Sequence, residues 1–138
     1  PTEFSLSGTR RWLPGTDYEH VRSQLEDLLA DIGNRHQVTP DATIHFVRDG
    51  YRVDTSHPVV TAFQEAARSV MGQPLPEGCK PFVDDGNTFA AIAGIPAITH
   101  GPNAKGAHTT QEEVPLAELE RVALVYALTA AGFCCPEP

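Results

Sequence analysis

Cys79-Lys80-Pro81-Phe82-Val83-Asp84-Asp85-Gly86-Asn87-Thr88-Phe89-Ala90-Ala91-Ile92-Ala93-Gly94-Ile95-Pro96-Ala97-Ile98-Thr99 decides the fold expected of this 138-residue chain. Cys79 to Val83 has the apolar character of a short buried strand, and Asp84-Asp85-Gly86 is a turn. Phe89 and Ile92 mark a short helix that Gly94 stops, and Ile95 to Thr99 is a second buried strand. Upstream, Ser56 and Pro58 supply the cap and first turn of a helix. Its apolar face is Val59, Val60, Phe63, Ala66, Ala67 and Val70, and Gly72, Pro74 and Pro76 end it. Downstream, His100-Gly101-Pro102 leaves the second strand, and a last helix begins near Pro115. Leu116, Leu119, Val122, Ala123 and Tyr126 form its face, while Leu124, Val125 and Leu128 make its second half apolar nearly all round. Such a helix is expected to be buried on more than one side. Strands alternating with helices predict an α/β fold with a mostly parallel sheet.

The first third of the chain has a different rhythm. Phe4 and Leu6 alternate with Ser5 and Ser7, which predicts a half-buried strand running towards Arg10 and Arg11 before Pro14-Gly15 breaks it. Thr16 followed by Glu19 is a capping box, and Val21, Leu25, Leu28, Leu29 and Ile32 share one helical face that Gly33 ends. Ala42, Ile44 and Phe46 alternate with Thr43, His45 and Val47, which predicts another strand. Residues 1–54 thus form a β-α-β, α+β unit, and residues 55–138 form the α/β unit.

Composition narrows the function. Ten Lys plus Arg against 18 Asp plus Glu give a net charge of −8, which repels phosphate backbones and anionic lipid surfaces. Nucleic acid and membrane are therefore not expected partners. The longest apolar run, Val122 to Leu128, is far shorter than the ~18 to 20 residues of a membrane span. Three cysteines are an odd number, and a bond between the neighbours Cys134 and Cys135 is strained. A reducing, cytoplasmic setting is expected. Because residue 1 is Pro rather than Met, the chain is expected to be processed or to be a piece of something longer.

Ligands of α/β sheets gather beyond the carboxyl ends of strands, which selects residues 83–87 and 100–113. The second stretch holds His100, His108, Glu112 and Glu113 among glycines and small polar residues. A catalytic zinc needs about three protein ligands, and neither a helical His-Glu-x-x-His nor paired Cys-x-x-Cys is present. His108 is one donor at most; its plainer role is a loop histidine bonded to a backbone carbonyl. Glu112 and Glu113, ahead of the last helix, suit its positive end, and Asp84 and Asp85 suit the end of the short helix. One of Arg10 and Arg11, at a strand end, has the geometry to grip a carboxylate. His20, His36, His45 and His57 stand as surface or structural residues. Without a Gly-x-Ser-x-Gly elbow or a glycine-rich phosphate loop with Lys, serine hydrolysis and nucleotide binding drop out.

The order of motifs carries more than any one of them. Arg11-Trp12-Leu13-Pro14-Gly15, Asp85-Gly86-Asn87-Thr88-Phe89, Gly94-Ile95-Pro96, Gly101-Pro102 and Ala107-His108-Thr109 with Glu112 and Val114 follow one another. This series, from about Phe4 to Gly132, resembles the C-terminal part of the zinc metallopeptidase and amidohydrolase family of acetylornithine deacetylase, succinyl-diaminopimelate desuccinylase, aminoacylase and glutamate carboxypeptidase. The resemblance implies that residues 1–54 end a lid or dimerisation domain and that residues 55–138 are the C-terminal portion of a catalytic domain. It implies metal binding by His108 and substrate-carboxylate binding by Arg11. It further implies two zinc ions, with cobalt or manganese as alternatives, and a homodimer in the complete enzyme. Thr9 replaces an acidic residue two before the arginine, Asn103 the last glycine of a Gly-Pro-Gly loop, and Asp84-Asp85-Gly86-Asn87 a Gly-Thr-Asp-Ala-like run.

The family's remaining metal ligands and its general-base Glu lie in a half that this chain lacks, so no catalytic residue is expected here and the isolated chain is expected to be inactive. The function implied is that of part of a metal-dependent hydrolase, cleaving the amide bond of small N-acyl amino acids or peptides through a metal-bridging water. The alternative is a non-catalytic fragment or interaction module that keeps the scaffold without a complete metal site.

Overall fold

The structure, a computed structural model, describes residues 2–80 and 82–135. Among the described residues four helices follow one another: α1 (Tyr18–His36), α2 (Pro58–Met71), α3 (Gly86–Ala91) and α4 (Leu116–Cys134). Helix accounts for 44% of the structure and strand for 2%, and the described residues form no sheet. The expected α/β fold with a mostly parallel sheet, preceded by a β-α-β unit, is therefore corrected. Residues 4–7, 42–47, 79–80 with 82–83, and 95–99 join no ladder. Period-2 alternation biases a segment towards extended backbone, whereas a strand in a sheet also needs a second chain segment to exchange N–H and C=O bonds with. Among the described residues the only such exchange is an isolated antiparallel bridge between Lys105 and Glu113.

The helices begin and end for local reasons. α1 starts one residue later than the Thr16 capping box predicts: Asp17 is the cap, accepting the Glu19 N–H at 3.1 Å. It runs past Gly33 to Gln37, whose left-handed φ of 54° closes it. A Cβ at Gly33 would lie 3.1 Å from the Val38 carbonyl and the Pro40 ring, so this glycine serves the approach of residues 38–40. In α2, Pro58 occupies the first turn as expected, but His57 rather than Ser56 is the cap, its Nδ1 accepting the Val59 N–H at 3.2 Å. Gly72, at φ 79°, ends α2.

Packing centres on α2 against α4, the pair of helices in extensive contact. Phe63, Ala66 and Val125 form a buried cluster against which Val70, Met71, Leu75 and Ile98 lie. Ala67 and Val125 are fully buried; small side chains at the crossing let the two backbones come together. Gln64 fixes the chain leaving α2 by donating to the Leu75 carbonyl and accepting its N–H, both at 2.9 Å. The expectation that α4 is covered on more than one side is corrected: Val122 and Val125 are buried, while Leu116, Leu119, Leu124, Tyr126, Leu128 and Phe133 are exposed. α1 buries Val21 but leaves Leu28 and Ile32 in solvent.

His100 joins this core from the side. Its ring meets Phe63 and Tyr126 edge-on, with centroids 5.2 and 5.9 Å away, and the Tyr126 hydroxyl donates to the His100 carbonyl. His100 Nδ1 is buried without a hydrogen-bond partner among the described residues. Burial pulls the imidazole below its ordinary value of 6.5, and the Glu118 carboxylate opposes it.

Truncating Phe63 to Ala is expected to destabilise the chain by about 3 kcal/mol or more, read as a lower urea midpoint. For His100 the unfolded chain takes up a proton before the folded one. Stability is therefore complete above pH 6.5 and falls as the pH drops below it, until the folded form also protonates. The fall in urea midpoint between pH 7.5 and 5.5 is expected to be smaller in His100→Gln than in the parent chain.

Candidate functional site

Residues 102–114 form a closed loop ahead of α4. Lys105 and Glu113 exchange both backbone bonds at 3.0 Å and pinch its base. Inside, the Thr109 N–H and hydroxyl both reach the Gly106 carbonyl, at 3.0 and 2.7 Å, and Thr109 Oγ1 accepts the Gln111 N–H at 3.2 Å. Gly106 has φ 65°, and a Cβ there would sit 2.9 Å from the Gln111 carbonyl oxygen. Both the conformation and the space demand glycine.

His108 sits at the head of this loop. It too has φ 65°, a region in which non-glycine residues are uncommon and His, Asn and Asp over-represented. Its N–H donates to Glu112 Oε2 at 3.2 Å, while its exposed ring makes no hydrogen bond among the described residues. Glu112 and Glu113 have other roles than serving the start of α4. Glu112 takes the His108 N–H, Glu113 lies 3.8 Å from the Lys105 ammonium, and the α4 cap position, Pro115, has no side-chain bond.

Arg11 lies in the irregular segment before α1 and is exposed, with no hydrogen bond or ion pair among the described residues. Its neighbour Trp12 anchors that segment. The indole lies 6.2 Å from both Tyr18 and Phe46, and those two rings are 4.7 Å apart. Arg11 and His108 share no hydrogen bond.

A third polar constellation was missed in the sequence. Asp84 is its centre: Oδ1 accepts the Gly86 N–H at 2.9 Å, and Oδ2 accepts the Thr99 hydroxyl at 2.6 Å and pairs with the Lys80 ammonium. Because Thr99 spends its proton on Asp84, the Tyr51 hydroxyl donates to Thr99 Oγ1, at 3.1 Å. Asn87, only 9% exposed, donates to the Asp49 carbonyl at 3.0 Å and accepts the Asp84 N–H at 3.3 Å. Arg48 donates to Thr88. These bonds tie residues 48–51 to residues 84–99. Asp84 thus serves the start of α3 as expected, whereas Asp85 stands at the cap position with no side-chain bond. Each side chain taken singly reads as a turn residue, and only the 48–51 segment arriving from elsewhere joins them.

Two hollows among the described residues bear on the site. The larger, about 700 Å³, lies between α1 and residues 37–44 and contains neither His108 nor Arg11. The smaller, about 290 Å³, is an apolar cleft between α2 and α4 lined by Val59, Phe63, Ile98, His100, Tyr126 and Phe133 among others. Neither brings catalytic groups together, so the 102–114 loop, with its projecting imidazole, is the better candidate.

Among the described residues no three His, Cys, Asp or Glu side chains are grouped to hold a metal ion. An exposed imidazole free of competing bonds fits one place in a metal's shell; a whole site does not form from these residues. Cys79, Cys134 and Cys135 are free and exposed. No described helix is long and apolar enough to cross a membrane.

Among curated proteins and solved structures none matches the chain. Comparison with protein families matches residues 7–132 to peptidase family M20/M25/M40, which suggests metal-dependent peptidase or hydrolase function in general. The match takes in Arg11, the Asp84 constellation and the His108 loop alike, and with nearly the whole length covered the chain belongs to peptidase family M20/M25/M40.

Proposed function

We propose that these residues form part of a metal-dependent hydrolase that cleaves the amide bond of small N-acyl amino acids or peptides, a deacetylase-like or aminopeptidase-like reaction. The observation that carries this reading is the projecting, unbonded imidazole of His108 on a built loop, in a chain of this peptidase family. His108 donates one nitrogen to a metal ion, zinc in the first instance with cobalt or manganese as alternatives. When bound, two such ions supply an activated water and a polarised carbonyl. The other donors and the general base come from polypeptide outside residues 1–138, in keeping with the single donor here. The complete enzyme is a homodimer.

Arg11 holds the substrate carboxylate. Its guanidinium is exposed and uncommitted, and the Trp12, Tyr18 and Phe46 rings fix the backbone beside it. A fork of two N–H donors matches a carboxylate bidentately. On this reading residues 1–54 end a lid or dimerisation unit and residues 55–138 belong to the catalytic unit, and the contacts of residues 48–51 with 84–99 couple the two.

A second reading, a scaffold or interaction module without catalysis, is favoured by one observation: Phe4 and Leu6 are 83% and 87% exposed, and α4 carries an uncovered apolar flank. Large exposed apolar surface promotes association.

In the complete enzyme His108→Ala is expected to abolish most turnover and to lower bound metal; unchanged metal content and activity would overturn the ligand role. Arg11→Ala is expected to raise KM by roughly ten- to a hundredfold, the effect of losing about 1.5 to 3 kcal/mol from a charge-assisted pair, with metal content unchanged. The isolated chain is expected to self-associate in sedimentation analysis and to bind zinc weakly. A monodisperse monomer or tight stoichiometric zinc would contradict those two expectations respectively.

A further inference from the structure

We propose that Glu112 is a positioning residue for His108: its carboxylate holds the His108 N–H and so keeps the backbone in the left-handed conformation that projects the imidazole out of the loop. The inference rests on the reading of His108 as a metal ligand. A side chain on L-backbone at φ 65° is disfavoured, so something nearby must hold it. Two features of the loop close it without touching His108. These are the Lys105 to Glu113 bridge, and the turn in which the Thr109 N–H and hydroxyl both donate to the Gly106 carbonyl. The bond that reaches residue 108 itself is the one from its N–H to Glu112 Oε2, at 3.2 Å.

Position matters as much as bonding. Glu112 is four residues beyond His108, and its own N–H goes back to the Thr109 carbonyl at 3.4 Å. The carboxylate thus folds back onto the head of the loop, where it meets the His108 backbone and no hydrogen bond joins it to the ring among the described residues. An acceptor on the backbone fixes the Cα–Cβ direction of His108 without consuming a ring nitrogen, which leaves both nitrogens for a metal and its outer hydrogen bond. The charge is incidental to this role and the acceptor oxygen is essential. Gln at position 112 keeps that oxygen; Ala removes it.

Two measurements test this. In the chain itself, hydrogen exchange at the His108 amide is expected to quicken roughly tenfold in Glu112→Ala, as loss of one net hydrogen bond implies. Glu112→Gln is expected to stay near the parent. In the zinc-loaded enzyme that carries this chain, zinc affinity measured by chelator competition is expected to fall by about tenfold or more in Glu112→Ala, the scale seen when outer partners of metal ligands are removed. The fall is expected to be much smaller in Glu112→Gln, with the helical content of both variants unchanged. Zinc lost by His108→Ala but retained by Glu112→Ala sinks the positioning role alone. Equal losses in the Gln and Ala variants sink it too, since charge rather than the acceptor then matters. Zinc retained by His108→Ala sinks the ligand reading and the inference with it.

Discussion

The contact of α2 with α4 is the constraint on which the rest of the chain hangs. Phe63, Ala66 and Val125 are taken out of water together, and burial of this kind is the largest favourable term available to a chain without disulfides. From that seam the Gln64 clip on Leu75 directs the chain after α2. His100 and Ile98, packed on the other flank, direct the chain into the 102–114 loop. The loop bearing His108 is thereby held between a core-packed segment on one side and α4 on the other. A functional side chain on a loop depends on such anchoring, because the loop's own bonds fix its shape but not its place.

The second anchoring system is polar. Asp84 gathers Lys80, Thr99 and the start of α3, while Asn87 and Tyr51 bring residues 48–51 against them. The two systems differ in kind. The helix seam tolerates changes of shape at a cost in packing, whereas each member of the Asp84 constellation has specific partners it must meet, and loss of one leaves another short of a bond. Gly86 shows how closely the parts meet: a Cβ there would run into the Tyr51 hydroxyl and lie 2.9 Å from Asp84 Oδ1.

What could be read from sequence follows from how local its cause is. Pro58 at the start of α2 and Gly72 at its end act within one turn, and both mark the helix where the pattern placed them. The capping box at Thr16 missed by one residue because Asp17, beside it, is an equally good acceptor. Alternating residues such as Phe4 to Ser7 and Ala42 to Val47 were legible as extended chain but not as sheet, since pairing depends on segments distant in sequence. The same limit hid the Asp84 constellation, whose partners lie up to 48 residues apart. It also hid the role of Glu112, which resembles a charge placed for a helix end until its oxygen is seen on the His108 N–H. His108 and Arg11 were marked first by their places, in a loop and at an expected strand end, and the order of motifs then implied their roles.

The left-handed backbone at residue 108 narrows the alternatives open to that position over evolutionary or laboratory drift. Histidine, asparagine and aspartate are the side chains most at ease there, and β-branched residues are the least. On the proposed reading of His108 as a metal ligand, two filters act on the same codon, one set by coordination chemistry and one by torsional strain. Of the usual oxygen or nitrogen donors Asp meets the torsional demand as His does, so on that reading an exchange between imidazole and carboxylate is the change this loop accommodates without being rebuilt.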